Sequence, residues 1–281
     1  ATTGGVGKVQ NLLEWNGYVI SFSSNGAGNF DIYRFDAAAT NAFIGNVPGP
    51  ITPLTVATSA TQMAICANGN GYVVTYPGWA IAQIVDVDFP ANVSSVTYLD
   101  GYFVWSITGS DQYVISAVLN AFAYAPLDFA AAESTPDDIE RVFTLHEELW
   151  LFGSQTIEVH VNTGAVTFPF QRQSGGTIDV GIRSRDAICE CDNSVFWVGN
   201  DLIVYRSEGY RPKRVSTHAI EQEMQTLAGS VYHMFALNFN GHQMVVLNMT
   251  SRTYVYDCAT ELWHQRCTTN IDDSWFPDCS L

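Results

Sequence analysis

Lysine is nearly missing from this 281-residue chain: only Lys8 and Lys213 occur. Against 28 acids stand 12 bases, for a formal charge of −16. A surface this acidic repels the phosphate backbone, which excludes a broad basic nucleic-acid groove and leaves a repelling wall or a small local patch. No window approaches the ~20 continuous apolar residues of a membrane-spanning helix, and no basic segment followed by an apolar run marks a secretory signal. Cysteine is sparse as well. Cys66, Cys189, Cys191, Cys258, Cys267 and Cys279 are too few for a disulfide scaffold in a chain of this length. Cys189-x-Cys191 sets two thiols on one strand face, closer in sequence than zinc sites use, so buried free thiols are expected. The sequons at Asn92 and Asn248 carry little weight beside that free-thiol pattern.

Chemistry-bearing motifs are missing too. There is no Walker A loop, no Gly-x-Ser-x-Gly elbow and no Gly-x-Gly-x-x-Gly opening a helix. His146-Glu147-Glu148 lacks the second histidine of a zinc-protease helix, and the six histidines are scattered. No catalytic residue, metal or cofactor is expected.

What the chain does have is apolar and aromatic residues, 47% and 13% of the total, enough for a sizeable core. They fall in a repeating pattern, clearest between Ile139 and Thr163. Apolar runs 142–145 and 149–152 are broken by His146-Glu147-Glu148. After Gly153-Ser154, Ile157, Val159 and Val161 alternate with Glu158 and His160, the period-2 signature of a strand. His160, on the polar side of that alternation, is expected at the surface.

The same unit recurs six times. Turn signals at Asn16-Gly17, Asn70-Gly71, Asp100-Gly101, Glu147-Glu148, Asp192-Asn193 and Asn240-Gly241 each precede an apolar or aromatic run. Asn-Gly and Asp-Gly favour the type I′ hairpin, whose two central residues both need positive φ. A second break and a third strand follow each run. The repeat averages about 45 residues, a blade-sized period. The expected fold is all-β: a β-propeller of about six three- to four-stranded blades with one short helix, occupying 1–281 as a single domain. A β-sandwich is the rival.

Between the repeats, Asn46 to Pro53 holds three prolines and reads as an extended connector. Ser134-Thr-Pro-Asp-Asp138 reads as a helix start, with a capping hydroxyl, proline and acids in order. The best helix runs from about Thr217 to Ala228, with Ile220, Met224 and Leu227 on one face and Gly229 as a stop.

Two clusters invite functional readings. Asp137, Asp138 and Glu140 with Glu147 and Glu148 could supply paired carboxylates for glycoside hydrolysis, but a helix start and a solvated turn account for them better. Seven of the twelve bases lie between Arg172 and Arg214. Arg206, Arg211, Lys213 and Arg214, interleaved with Tyr205 and Tyr210, form a basic patch. It suits contact with an acidic subunit or a phosphate, or ordinary pairing with nearby acids.

One set of motifs is more specific. Glu133-Ser-Thr-Pro-Asp137 runs into an aromatic hairpin and then Phe152-Gly-Ser-Gln-Thr-Ile-Glu158, followed by Asn162-Thr-Gly164. Asp100-Gly-Tyr-Phe-Val-Trp105 and Gly109-Ser-Asp-Gln-Tyr113 support it upstream, and Ser216–Met224 resembles a helix-bearing segment downstream. This combination resembles the packaged-DNA stabilisation proteins, the tail hub or nozzle subunits, of short-tailed bacteriophages. The first ~90 residues match in periodicity alone. The resemblance implies a non-enzymatic virion protein, assembled in the host cytoplasm into a ring of six below the portal and its adaptor. Such a ring retains packaged DNA, conducts it during ejection without reading its sequence, and meets tail needle or fibre proteins. Family chains are usually longer, so these residues are expected to be part of a longer polypeptide. A carbohydrate-binding or carbohydrate-hydrolysing propeller is the alternative, although no Ser-x-Asp-x-Gly-x-x-Trp box is present.

Overall fold

The computed structural model describes residues 9–49, 54–227 and 232–267. They form six four-stranded antiparallel sheets, each built from four consecutive strands. Blade 1 contains β1 (Val9–Trp15), β2 (Tyr18–Ser24), β3 (Asn29–Phe35) and β4 (Asn41–Pro48). Blade 2 contains β5 (Thr55–Thr58), β6 (Gln62–Ala67), β7 (Asn70–Thr75) and β8 (Ala80–Gln83). Blade 3 contains β9 (Val93–Leu99), β10 (Tyr102–Ile107), β11 (Gln112–Ile115) and the short β12 (Phe129–Ala131). Blade 4 contains β13 (Ile139–Leu145), β14 (Glu148–Gly153), β15 (Ile157–Asn162) and β16 (Phe170–Ile178). Blade 5 contains β17 (Ile188–Cys191), β18 (Ser194–Val198), β19 (Val204–Glu208) and β20 (Arg211–Arg214). Helix α1 (His218–Thr226) leads to blade 6, with β21 (His233–Phe239), β22 (His242–Asn248), β23 (Thr253–Asp257) and β24 (Leu262–Arg266). This is a six-bladed propeller, as the repeat predicts, and not a sandwich.

The hairpins form where the turn chemistry directs, with two shifts of frame. Asn16-Gly17, Asp100-Gly101, Asp192-Asn193 and Asn240-Gly241 all have positive φ at both positions. In blade 2 the turn is Asn68-Gly69, and Asn70-Gly71 lies within β7. The run after it is therefore the third strand, one later than the repeat suggests. In blade 4 the turn is His146-Glu147, with φ of 50° and 62°. Three residues of the proline-rich link, Asn46, Val47 and Pro48, belong to β4, and its Pro50–Pro53 portion lies outside the described residues. The fourth strands escaped the sequence reading because several are short or polar: β8 is almost wholly exposed and β20 reads Arg-Pro-Lys-Arg.

The second strands explain the apolar runs. Every residue of Leu149–Gly153 in β14 and of Ser194–Val198 in β18 is buried, on both sheet faces. A blade lies between two neighbours, so both of its faces exclude water and strict alternation is lost, as in sheets covered on both sides. Each pair of successive blades shares one core. Phe22 and Ile32 of blade 1 join Met63 and Ile65 of blade 2. Val73 joins Phe103 and Trp105 between blades 2 and 3. Val104 and Tyr113 join Leu149 and Leu151 between blades 3 and 4. Phe152 meets Trp197 edge-on at 5.9 Å between blades 4 and 5, and Phe196 meets Tyr256 at 5.9 Å between blades 5 and 6.

Polar stitches run alongside these cores. The first strands β5, β9 and β13 pack successively, as do β17 and β21. Val96 N donates to Thr55 Oγ1 at 3.0 Å, and Val142 N donates to Ser95 Oγ at 2.9 Å. Arg141 donates to the Arg185 carbonyl at 3.1 Å, Arg185 donates back to the Glu140 carbonyl at 3.2 Å, and Met234 N reaches Asp186 O at 2.8 Å. Most of these partners lie about one repeat apart in sequence, so a donor on one blade finds its acceptor at the equivalent place on the next.

Because the shared cores carry the fold, Phe152→Ala should cost roughly 3–5 kcal/mol in urea unfolding. Leu262→Ala, at a site 66% exposed, should stay within about 0.5 kcal/mol.

Candidate functional site

The site is built where the link after β12 meets the hairpin turn of blade 4. Residues 132–138 contain no helix. Asp137, expected among the acids that open a helix, caps a turn instead. Asp137 Oδ1 accepts from Ser154 N at 3.1 Å and Ser154 Oγ at 2.6 Å. Its Oδ2 accepts from Gln155 N at 2.7 Å, Thr156 N at 2.8 Å and Thr156 Oγ1 at 3.2 Å. Three successive backbone N–H groups after β14 converge as they would at a helix start, and they claim the acid across 17–19 residues. Gly153 is required for that approach, since a Cβ there would lie 2.2 Å from Asp137 Oδ2. Asp138, the neighbouring acid, is exposed.

A second carboxylate ties the same two segments. Glu158 Oε1 accepts from Ser134 N at 2.6 Å. Its Oε2 lies 3.3 Å from His160 Nε2, and His160 Nδ1 lies 2.9 Å from the Tyr113 hydroxyl of blade 3. An ionised carboxylate can only accept, so the Nε2 proton of His160 points to Glu158. The surface position expected for His160 is therefore wrong: Glu158 and His160 are 2% and 4% exposed. The face that looks polar in sequence is the face toward blade 3, where these groups satisfy one another. Burial by itself would raise the Glu158 carboxyl. Hydrogen bonds from His160 and Ser134, together with the charge of His160, outweigh it and hold the group at about 2. Burial pushes the Tyr113 phenol well up. Glu158 and His160 border a cleft of about 770 Å³ whose other walls include Phe129, Phe168, Phe170 and Arg172.

The acids of the His146-Glu147-Glu148 turn do not form a facing pair. Glu147 is exposed at the turn tip, and His146 Nε2 donates to Asn193 Oδ1 of blade 5 at 2.8 Å. Glu148 is not a solvated turn residue. It opens β14 and accepts from Trp150 Nε1 at 3.3 Å and from the Tyr210 hydroxyl of blade 5. Its polarity is spent on an inter-blade contact that sequence spacing does not reveal.

The basic patch lies on the hairpin of β19 and β20, the outer half of blade 5. Arg206 pairs with Asp192 at 2.7 Å and lies over the Phe196 ring. Lys213 lies 2.9 Å from Glu208 and 3.6 Å from Glu261. Arg214 pairs with Glu221, a buried carboxylate of α1 that also accepts from Ser216 Oγ at 2.6 Å. Arg211 is exposed, with no ion pair among the described residues. Helix α1 forms as predicted, burying Ile220 and Met224. Its expected end at Ala228 and stop at Gly229 lie outside the described residues.

Fold and site together define a six-bladed propeller in which the carboxylates of Asp137, Glu158 and Glu148 tie segments of its own blades together. The family model described as "Bacteriophage P22 Gp10, beta-propeller" matches residues 28–274, and the chain belongs to that phage-stabilisation family. It is 24% identical over 237 residues to tail hub protein gp10 of Salmonella phage P22, covering 77% of this chain and 50% of that protein. The chain thus spans about half the length of the curated relative it matches. In structure it resembles PorZ, a bacterial surface component of the type-IX secretion system of Porphyromonas gingivalis. The TM-score is 0.54 at 10% identity, over 95% of this chain and 34% of that one. At that identity the likeness concerns the propeller fold alone.

Two outcomes test the clamp. Asp137→Asn should destabilise the chain by about 2–4 kcal/mol in denaturant melts, because it leaves buried N–H groups poorly paired, whereas Asp138→Asn should change it by less than about 0.5 kcal/mol. The folded pKa of Glu158 lies below its unfolded value, so its stabilisation is present above the unfolded pKa of 4.5 and is lost as pH falls toward about 2. Acid unfolding followed by circular dichroism should therefore show a shallower loss of stability across that window in Glu158→Gln than in the unaltered chain.

Proposed function

We propose that this chain is the propeller portion of a phage tail hub protein that forms a ring below the portal and its adaptor, retains packaged DNA and conducts it during ejection. The family match across 28–274 carries the reading. The Asp137 clamp supports it, because it supplies a structural reason for the Pro-Asp and Phe-Gly-Ser-x-Thr-Ile-Glu motifs that mark the resemblance. The protein is non-enzymatic in this reading. Its acids serve as blade ties, and its role is mechanical.

The charge suits a conduit. A −16 subunit repeated around a ring lines the path with negative potential, so DNA passes without being held by its phosphates. Closed rings form when two different patches of one subunit meet head to tail. A hexamer, with portal-adaptor and tail needle or fibre proteins as partners, is the assembly proposed. It resides in the virion tail after assembly in the host cytoplasm. The outer hairpin of blade 5, carrying Arg206, Arg211, Lys213 and Arg214, is the proposed contact for an acidic neighbour, and exposed Arg211 is its leading residue.

Light scattering and negative-stain imaging, alone and with portal-adaptor complexes, test this directly. A ring-sized particle that docks on the adaptor is expected, with no retention of duplex DNA at physiological salt. Arg211→Glu should weaken ring formation at least several-fold while leaving the melting curve of the subunit unchanged. A stable monomer that ignores the adaptor would contradict the assembly reading, and undiminished assembly of Arg211→Glu would remove this patch from the contact.

A further inference from the structure

Thiols converge where blade 5 meets blade 6. Cys189 and Cys191 lie in β17, and Cys258 follows β23 in the turn that begins at Asp257. All three belong to the same inter-blade core. The sulfurs of Cys191 and Cys258 lie 3.8 Å apart although 67 residues separate them in sequence. We propose that Cys191 and Cys258 are a disulfide-forming pair, a two-electron oxidation site that staples blade 5 to blade 6.

Proximity comes first. A disulfide holds its sulfurs about 2 Å apart, so the gap closes by less than the length of one side chain. The two thiols also differ in reactivity. Cys258 is partly exposed, whereas Cys189 and Cys191 are buried. The hydrogen bond from the Cys191 thiol draws Cys258 below the ordinary thiol range, against burial and the nearby Asp192 charge, and the Arg206 guanidinium adds to that stabilisation. The bond it donates and its own burial push Cys191 up. Cys258 is thus the attacking thiolate and Cys191 the resolving thiol.

With a peroxide as oxidant the chemistry balances. The Cys258 thiolate attacks one peroxide oxygen and the O–O bond breaks, giving a sulfenic acid and hydroxide. The sulfur of Cys191 then attacks the sulfenic sulfur, the S–S bond forms, and the hydroxyl leaves as water with the Cys191 proton. The hydroxide takes up the proton that Cys258 released. Two thiols lose two electrons and the peroxide becomes two waters. Cys189 remains a buried thiol beside the bond, its pKa raised by burial. The inference concerns the folded subunit and does not draw on ring assembly.

The test uses the full chain treated with hydrogen peroxide, then digested and mapped by mass spectrometry without reduction. A peptide linking Cys191 to Cys258 is expected within single chains, and dithiothreitol should release it. Closing a 67-residue loop should raise the melting temperature of the oxidised form by roughly 5–10 °C. Cys258→Ser should abolish both the linked peptide and the rise, while Cys189→Ser and Cys267→Ser should keep both. Should Cys258 proceed to sulfinic acid with Cys191 still free, or should the linkage join Cys189 or a second chain, the pairing is wrong. The mapping needs no variant, so a poorly folding substitution leaves the result decisive.

Discussion

A propeller blade is a sheet with two faces to bury and no layer of helices to cover them. That constraint organises this protein. Each blade can exclude water from its second strand only by lying against the blade before and the blade after, so Leu149–Phe152 and Val195–Val198 are buried on both sides. Burial of this kind is non-directional, and by itself it would let blades slide past one another. Directional stitches fix the register: Thr55 to Val96, Ser95 to Val142, and Arg141 to Arg185. Apolar area supplies the stabilisation, and the hydrogen bonds choose one arrangement of it.

The link between blades 3 and 4 shows how this works in detail. A long segment leaves β12 and must be returned to β13 in register. Asp137 and Glu158 hold it there from opposite directions, one reaching from the link to the turn after β14 and the other from β15 to the link. The most recognisable motif of the chain is thus a pair of mutual caps. Each surrounds a buried carboxylate with donors, which is the condition under which burying it is tolerable. The same economy governs the cations. In a chain with so few bases, Arg206, Lys213 and Arg214 are all engaged by acids of their own or adjoining elements. The net charge of −16 keeps the subunit strongly acidic, which agrees with a proposed role beside DNA that must be contained yet released.

The repeat was legible in the sequence because turn chemistry is local. Asn16-Gly17, Asp100-Gly101 and Asn240-Gly241 need positive φ whatever surrounds them, and the spacing of these signals, with the apolar runs after them, determined an all-β chain of about six units. The helix from Thr217 was legible for the same reason, since Ile220 and Met224 share one face of any helix. In blade 2 the sequence signal at Asn70-Gly71 misplaced the turn by two residues, because the adjacent Asn68-Gly69 offers the same chemistry and the pairing of β6 with β7 takes it instead.

Partnerships across blades were out of reach of pattern reading. Asp137 carries every sign of a helix start, yet its donors come from residues 154–156. His160 looks like the polar half of an alternating strand, and only the arrival of Tyr113 from the preceding blade makes that face an interior. Glu148 looks solvated until Tyr210 is folded over it. The sequence by itself determined the all-β repeat, its number of units and the acidic balance, because propensity and charge are properties of residues and near neighbours. The tertiary structure alone decided which polar groups are buried and what satisfies them, because the backbone donors to Asp137 and Glu158 are brought in from 17 to 24 residues away in the chain.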